Sequence, residues 1–161
     1  MFYNKKILAL IPARGGSKGI RLKNLKKINN VSLIEHTANF IKKCNFFDET
    51  IVSTDSIKIS NHAKKLQFQI FKRSKFTSKD HASDFDVISE VLKNKNTLKK
   101  KFDYIVYLQP TSPIRKISQL KNALYYLIRK NYDSSWSISK VDKKFHPKKI
   151  LKLVNKKFIY I

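Results

Sequence analysis

The stretch KILALIPARGGSKGIRLKNL, residues 6–25, decides the fold. Its first seven residues form an almost continuous apolar run, which is typical of a strand buried on both faces of a parallel sheet. Two adjacent glycines follow after Ala13 and Arg14, and the segment beyond them contains two lysines and an arginine. Ligands of open α/β sheets bind beyond the carboxyl ends of the strands. The stretch therefore predicts a strand that leads into an anion-binding loop.

The remainder of the chain alternates between short apolar runs and segments with helical periodicity. Further strands are predicted at 50–54, 68–72, 103–108 and 134–141, with helices at 33–44, 56–66, 84–95 and 117–130. The apolar tail predicts a hairpin around residues 155–156, and Trp136 is expected to anchor the core. This alternation predicts an α/β fold with a mostly parallel sheet and helices on both faces. The length of 161 residues suits a single domain.

The composition is strongly basic, with a formal net charge of +24. Such a charge by itself favours nucleic acid or an anionic membrane as the partner. However, the lysines are spread through every segment together with many asparagines and isoleucines, which fits a compositional bias as well as a binding face. We expect mostly solvated surface lysines that raise the local concentration of a small polyanion. A basic nucleic-acid-binding protein is the less favoured alternative, and no specific nucleic acid is expected as a partner.

The sequence also indicates in which cellular compartment the protein is expected. No apolar run approaches the roughly 18 residues that a membrane span requires, so no membrane contact is expected. The only cysteine, Cys44, offers neither a disulfide nor a zinc site. These features predict a cytoplasmic protein.

Three loops follow the carboxyl ends of predicted strands and should converge on one crevice, at residues 13–24, 53–56 and 109–115. The first combines glycines, whose backbone N–H groups can approach an anion, with a hydroxyl and cationic side chains. The residues there that could contact phosphate are Arg14, Gly15, Gly16, Ser17, Lys18 and Lys23. Their order matches neither the Walker A loop nor the dinucleotide fingerprint. The loop is therefore predicted to bind phosphate, and no dinucleotide cofactor is expected.

Three motifs together carry a resemblance to a known family: IPARGGSKGIRLKNL at 11–25, VSTD at 52–55 and YLQPTSPIR at 107–115. In this order and spacing they resemble the acylneuraminate cytidylyltransferases, the CMP-N-acetylneuraminic acid synthetases. The resemblance covers residues 6–149. It implies a Rossmann-like nucleotidyltransferase fold, with residues 1–161 as a single cytidylyltransferase domain that lacks the C-terminal portion of the family.

The resemblance implies a reaction as well. The anomeric hydroxyl of a nonulosonic, sialic-type sugar acid would attack the α-phosphorus of CTP, giving the CMP-sugar and pyrophosphate with the help of Mg²⁺. The residues that match nucleotide-binding positions of the family are Arg14, Gly15, Gly16, Ser17, Lys18, Lys23, Asn24, Arg73 and Ser83. Among them, Arg14, Lys18 and Lys23 match the catalytic, phosphate-contacting positions. Gln109 and Thr111 match the pair that faces the sugar acid, and Arg115 is placed to contact its carboxylate.

Other interpretations stay open for several polar residues. Asn24 could instead cap the helical turn that follows the glycine loop, and Arg115 could pair with a surface carboxylate or with solvent. Asp55 or Ser56 is expected to cap the helix that follows, and for Asp55 such a cap is favoured over a role in binding a ligand. Asp84 and Asp86 form an Asp-x-Asp pattern, but a helix cap and a first-turn acid explain it better than a metal site.

The pattern of the family continues beyond residue 161. It includes a later pair of aspartates that coordinate Mg²⁺ and a segment that clasps a second subunit. We therefore expect the CTP-site architecture in this chain, no metal ligands within it, and a homodimer only where the full-length arrangement is kept. The main alternative is a truncated, inactive nucleotide-binding remnant.

Overall fold

The computed structural model describes residues 2–17, 19–94, 101–138, 151–154 and 157–160. Its strands are β1 (Ile7–Pro12), β2 (Lys27–Ile28), β3 (Val31–Ser32), β4 (Glu49–Thr54), β5 (Gln69–Lys72), β6 (Tyr104–Tyr107), β7 (Leu151–Val154) and β8 (Lys157–Tyr160). Its helices are α1 (Leu33–Lys42), α2 (Ile57–Lys65), α3 (Asp84–Lys93) and α4 (Ile117–Arg129), with a short 3-10 helix at Lys23–Leu25. Two compact units are formed, Met1–Gln119 and Leu120–Ile161, and the first carries the candidate site.

Four parallel strands form the main sheet, in the order β5-β4-β1-β6. The central strand β1 pairs with β4 and β6, so that Leu10 lies opposite both Ile51 and Tyr107. Every side chain from Ile7 to Ile11 is fully buried. Because successive side chains point to opposite faces of a sheet, both faces of β1 are covered. The predicted parallel α/β sheet is confirmed.

Serine caps determine where three of the helices begin. Ser32 and Glu35 form a capping box at the start of α1, and Ser83 and Asp86 form another at the start of α3. Ser56 caps α2 through its side chain. These side chains satisfy backbone N–H groups that have no partner within the helix. The helices therefore begin at, or within one residue of, the predicted positions.

The core joins α3 to the sheet. Leu8 and Leu10 of β1 form one apolar cluster with Ile51 of β4, Phe71 of β5 and Val91 of α3. Val91 is fully buried, in agreement with the helical periodicity of residues 84–95. The segment 73–84, which connects β5 to α3, is thereby fixed at both of its ends.

The predicted strand at 134–141 is wrong over its described part. Residues 134–138 have no regular secondary structure, and Trp136 is 67% exposed instead of anchoring the core. An alternating pattern shows only that one side of an extended chain is apolar, and a strand also needs a neighbour to pair with. Residues 139–141 lie outside the described part of the chain.

The predicted hairpin of the tail is confirmed. β7 and β8 pair antiparallel, with Leu151 opposite Tyr160 and Val154 opposite Lys157. The expected turn residues 155–156 lie outside the described part. Within the described residues, no helix has the length and apolar character that crossing a membrane requires.

Candidate active site

The loop after β1 is tied to its surroundings by hydrogen bonds. Ala13 N–H donates to the carbonyl of Ser53 over 2.9 Å, which extends the pairing of β1 with β4. Asn24 Nδ2 donates to the carbonyl of Arg14 over 3.1 Å, and Asn24 is buried. Asn24 is not a cap, because Leu22 occupies the cap position of the 3-10 helix and Asn24 lies inside it. Its contact instead brings the two ends of the loop together.

Gly15 is required by the closeness of α2. A Cβ atom added at Gly15 would lie 2.8 Å from Cβ of Ser56, closer than side chains approach one another. The N–H of Gly15 donates to Oδ1 of Asp55 over 2.7 Å. Asp55 therefore holds the loop. Of the two residues expected as the cap of α2, Ser56 is the cap and Asp55 is not. In contrast, a Cβ at Gly16 would meet nothing within 4 Å.

A cavity of about 590 Å³ opens beside this loop, at the carboxyl edge of the sheet. Seven residues with a predicted site role line it: Arg14, Ser17, Lys23, Asn24, Arg73, Gln109 and Thr111. Four others are not among its lining residues: Gly15, Gly16, Ser83 and Arg115. Lys18 lies outside the described residues. Of the three loops expected to converge, those at 13–24 and 109–115 line the cavity. The loop at 53–56 is not among its lining residues, and the segment 73–84 lines the cavity instead.

An ion pair joins the glycine loop to the segment 73–84. Nη1 of Arg14 lies 2.6 Å from Oδ1 of Asp80, and both side chains are at least one-third exposed. Lys23 and Lys79 line the same cavity. The cavity is therefore rich in cations, and one of its arginines is neutralised by a carboxylate that a bound polyanion would have to displace or share.

Arg73 is the buried cation of the site. It is 8% exposed, and its Nε donates to Oγ of Ser53 over 2.9 Å. Its Nη1 donates to the carbonyl of Thr77 over 3.3 Å. Burial lowers the pKa of Arg73, while the neighbouring Tyr107 and Asp55 oppose that shift. The guanidinium stays charged, since arginine titrates far above neutral pH. It links the end of β4 to the segment 73–84.

A second polar group lies at the end of β6. The Tyr107 hydroxyl donates to Oδ1 of Asp84 over 2.8 Å, and Nε2 of Gln109 donates to Oδ2 of Asp84 over 3.3 Å. Burial, and then the hydrogen bond to Asp84, raise the pKa of Tyr107. Its hydroxyl is therefore held in the protonated, donating form.

Ser83 directs its hydroxyl to the start of α3. Its Oγ accepts from Asp86 N–H over 3.1 Å and donates to Oδ2 of Asp86 over 2.7 Å. Hydrogen bonds from the side chain and backbone of Ser83 lower the pKa of Asp86. Asp84 and Asp86 thus have separate protein partners. Both are first-turn acids of α3 and Ser83 is the cap, so the expected cap within the Asp-x-Asp pattern is wrong and the expected first-turn acid is confirmed. A contact between Ser83 and a base stays a prediction.

Arg115 holds neighbouring parts of the protein. Its Nη1 donates to Oγ1 of Thr37 over 3.3 Å, and its Nη2 donates to the carbonyl of Gln109. The guanidinium also lies 5.8 Å from the ring centre of Phe40. Burial lowers the pKa of Arg115. Its partners are a carbonyl, a hydroxyl and a ring, so the expected pairing with a surface carboxylate is not found among the described residues. The sugar-carboxylate contact stays a prediction.

The sequence assigned no role to several residues that line the cavity, notably Thr77, Asp80 and Tyr107. Tyr107 had a usable signal, because it is a residue with a polar tip at the end of a buried strand and opens the YLQPTSPIR motif. Asp80 had none, since it lies in a polar segment without periodicity.

Among the described residues, no three His, Cys, Asp or Glu side chains are grouped around a common point. The cavity has two carboxylates, of which Asp80 is paired with Arg14 and Asp84 binds Tyr107 and Gln109. Mg²⁺ at nucleotide sites is commonly bound by one or two carboxylates together with substrate phosphates and water, and both of these carboxylates already have protein partners.

The sequence profile of a family described as cytidylyltransferase matches residues 8–157, which is nearly the whole chain. The chain belongs to the cytidylyltransferase family. It is 38% identical over 134 residues to an N-acylneuraminate cytidylyltransferase of Oncorhynchus mykiss, covering 83% of this chain and 30% of the relative. It is 31% identical over 140 residues to an N-acylneuraminate cytidylyltransferase of Escherichia coli O18:K1:H7 (strain RS218 / NMEC), covering 86% of this chain and 32% of the relative. The chain thus spans about a third of the length of these curated relatives.

The fold of this cytidylyltransferase-family chain is similar to solved structures. A CMP:2-keto-3-deoxy-manno-octonic acid synthetase complexed with CTP superimposes with a TM-score of 0.67 at 22% identity, covering 79% of this chain and 49% of that one. At this identity the similarity shows the fold alone. It confirms the Rossmann-like nucleotidyltransferase fold.

Proposed function

We propose that this chain forms the CTP-binding part of an enzyme that transfers a cytidylyl group to the anomeric hydroxyl of a nonulosonic sugar acid, releasing pyrophosphate. One observation carries the proposal. The cavity gathers Arg14 and Lys23 of the glycine loop and Arg73 of the segment 73–84, together with Gln109 and Thr111 just beyond β6. A triphosphate and a polar second substrate suit these two parts.

The cations would act on the phosphates. In an in-line displacement at the α-phosphorus, negative charge builds up on the phosphate oxygens and the leaving pyrophosphate. Preorganised cations and hydrogen-bond donors lower the barrier by stabilising that charge. Arg14 and Lys23 are the catalytic candidates within the described residues, with Ser17 as a hydroxyl donor. Lys18 is proposed for the same role from the resemblance.

The remaining predicted residues have roles in binding. Asn24 would hold the loop in shape beneath the nucleotide, through its bond to the Arg14 carbonyl. Arg73 would bind the phosphates or the base, and the segment around Ser83 would contact the cytosine. Gln109 and Thr111 would bind the sugar acid. The class of sugar acid is proposed from the resemblance and from the similarity to two N-acylneuraminate cytidylyltransferases, and a homodimer is proposed only for a full-length arrangement.

Mg²⁺ is proposed only because the resemblance to the family implies it. Bound to CTP, Mg²⁺ would neutralise charge on the phosphates. We assign it no ligand in this chain, because the carboxylates of the cavity are held by protein groups. No step of the reaction is attributed to a metal site here.

Titration with CTP tests the proposal directly. Arg14→Ala and Lys23→Ala should each weaken CTP binding by about 1–3 kcal/mol, typical of hydrogen bonds to charged groups. Lys58→Ala is the control for Lys23→Ala, because it also removes a lysine but one that is exposed on α2, outside the cavity lining. Calorimetry gives the affinities, and pyrophosphate release on adding N-acetylneuraminate gives the reaction.

The outcomes separate the alternatives. Release that requires both CTP and the sugar acid supports the enzyme. CTP binding without release overturns transfer by this chain and favours the nucleotide-binding remnant. Tight oligonucleotide binding that CTP does not affect would overturn both and favour the basic nucleic-acid-binding alternative.

A further inference from the structure

Three polar side chains form a connected row on the wall of the cavity. Tyr107 donates to one oxygen of Asp84 over 2.8 Å, and Gln109 donates to the other over 3.3 Å. All three residues line the cavity. Asp84 therefore lies between a residue of the sheet and the residue proposed to face the sugar acid.

Asp84 is held in place by contacts other than its hydrogen bond to Gln109. Tyr107 ends β6, which pairs with the buried central strand β1, so its ring is carried by a rigid element. The raised pKa of Tyr107 keeps its hydroxyl as a donor. Asp84 is the first residue of α3, where the helix N-terminus favours a negative charge.

The backbone of Gln109 makes more of the hydrogen bonds that hold this residue than its side chain does. Its carbonyl accepts hydrogen bonds from the N–H of Ser112 over 3.1 Å and from Arg115. Its residue is exposed, and within the described residues Asp84 is the hydrogen-bond partner of its side chain. An ionised carboxylate only accepts hydrogen bonds, so it selects the NH₂ end of the amide. The oxygen Oε1 is then left for a ligand.

We infer that Asp84 is a positioning residue that orients the Gln109 side-chain amide so that its oxygen accepts a hydrogen bond from a hydroxyl of the sugar acid. This inference rests on the proposed function. Asp84→Asn would no longer determine which end of the Gln109 amide faces residue 84, because an asparagine can offer Gln109 either an oxygen or an NH₂ group. Asp84 would then determine affinity for the second substrate, while the phosphates are bound by other residues.

Nuclear magnetic resonance of the glutamine side chains tests the orientation without any turnover. The chain has four glutamines, so the Gln109 NH₂ signals can be assigned by their loss in Gln109→Ala. In Asp84→Asn these signals should shift and exchange with water faster than in the unmodified protein. Asp86→Asn is the matched control, because it removes a first-turn carboxylate of the same helix that contacts Ser83 instead of Gln109. Unchanged Gln109 signals in Asp84→Asn would overturn the inference.

Binding measurements then separate positioning from direct contact. In CTP-saturated protein, Asp84→Asn should weaken N-acetylneuraminate binding about three- to tenfold, as expected for loss of one oriented hydrogen bond. Affinity for CTP should not fall, because the substitution removes a negative charge from the cavity that would bind the phosphates. Tyr107→Phe should also weaken N-acetylneuraminate binding, by a smaller factor than Asp84→Asn. A loss confined to CTP affinity would show that Asp84 contacts the nucleotide and would overturn the inference. Absence of CTP binding by the unmodified protein would overturn the proposed function, and the amide signals would still decide the orientation.

Discussion

The two sides of the cavity are held together in different ways. The glycine-loop side, residues 13–25, depends on contacts of backbone groups: Ala13 with Ser53, Gly15 with Asp55 and Asn24 with Arg14. The opposite side, residues 73–84, depends on side chains from distant parts of the chain, including the bonds of Arg73 to Ser53 and of Ser74 N–H to Glu90. The glycine-loop side can be recognised in the sequence as one continuous motif, whereas the side formed by residues 73–84 shows no such motif.

Substitution of the two adjacent glycines tests how closely the glycine-loop side is fitted. Gly15→Ala should lower the free energy of unfolding by about 1–3 kcal/mol, because its Cβ would overlap Cβ of Ser56 at 2.8 Å. It should also weaken CTP binding, since the loop and its bond to Asp55 must move. Urea denaturation and calorimetry measure the two effects.

Gly16→Ala is the matched control for that substitution. No atom lies within 4 Å of its added Cβ, and neither glycine has a positive φ. It should therefore leave stability unchanged or raise it by up to about 1 kcal/mol, through a more restricted unfolded chain. Equal losses from the two substitutions would contradict the account of Gly15 as a residue required by close contact.

The same contrast explains what the sequence could predict. The run at 6–12 and the serines at 32, 56 and 83 act locally, through burial and helix capping, so the sheet and the helix starts could be predicted. Arg14, Lys23 and Gln109 follow strand ends, and topology alone brings them to one edge. The roles of Asp55 and Asp80 could not be predicted, because their partners, Gly15 and Arg14, lie 40 and more residues away. A residue pairing across loops has no periodicity to reveal it.

The ion pair between the two sides gives the next prediction. Asp80→Asn should tighten CTP binding about two- to fivefold, because it frees Arg14 and removes a negative charge near the phosphates; exposed ion pairs contribute less than about 1 kcal/mol. Affinity measured at low and high salt should show the larger gain at low salt. Asp133→Asn removes an exposed carboxylate that does not line the cavity and should have no effect. Weaker CTP binding by Asp80→Asn would show that Asp80 helps to hold the nucleotide.

The smallest effect is expected at a helix cap on the side of the glycine loop. Hydrogen bonds from the side chain and then the backbone of Ser32 lower the pKa of Glu35 below its ordinary 4.5, as those of Ser83 do for Asp86 at the opposite side. A lowered pKa in the folded state means that the unfolded chain binds the proton more readily. The stability from this group is therefore complete above about pH 4.5 and is lost as the pH falls through the lower, folded-state pKa.

Glu35→Gln should accordingly reduce the free energy of unfolding by about 0.5 kcal/mol at neutral pH, a modest value because the side chain is partly exposed to solvent. The difference from the unmodified protein should shrink in acid, since protonated Glu35 loses the same interaction. Urea denaturation across pH measures it, and Ser32→Ala provides the control: in that background Glu35→Gln should have a smaller effect, because only the backbone N–H of residue 32 remains to donate to Glu35. A loss that stays undiminished without the Ser32 hydroxyl would assign the role of Glu35 to its neighbour His62, 3.5 Å away, instead of to the cap.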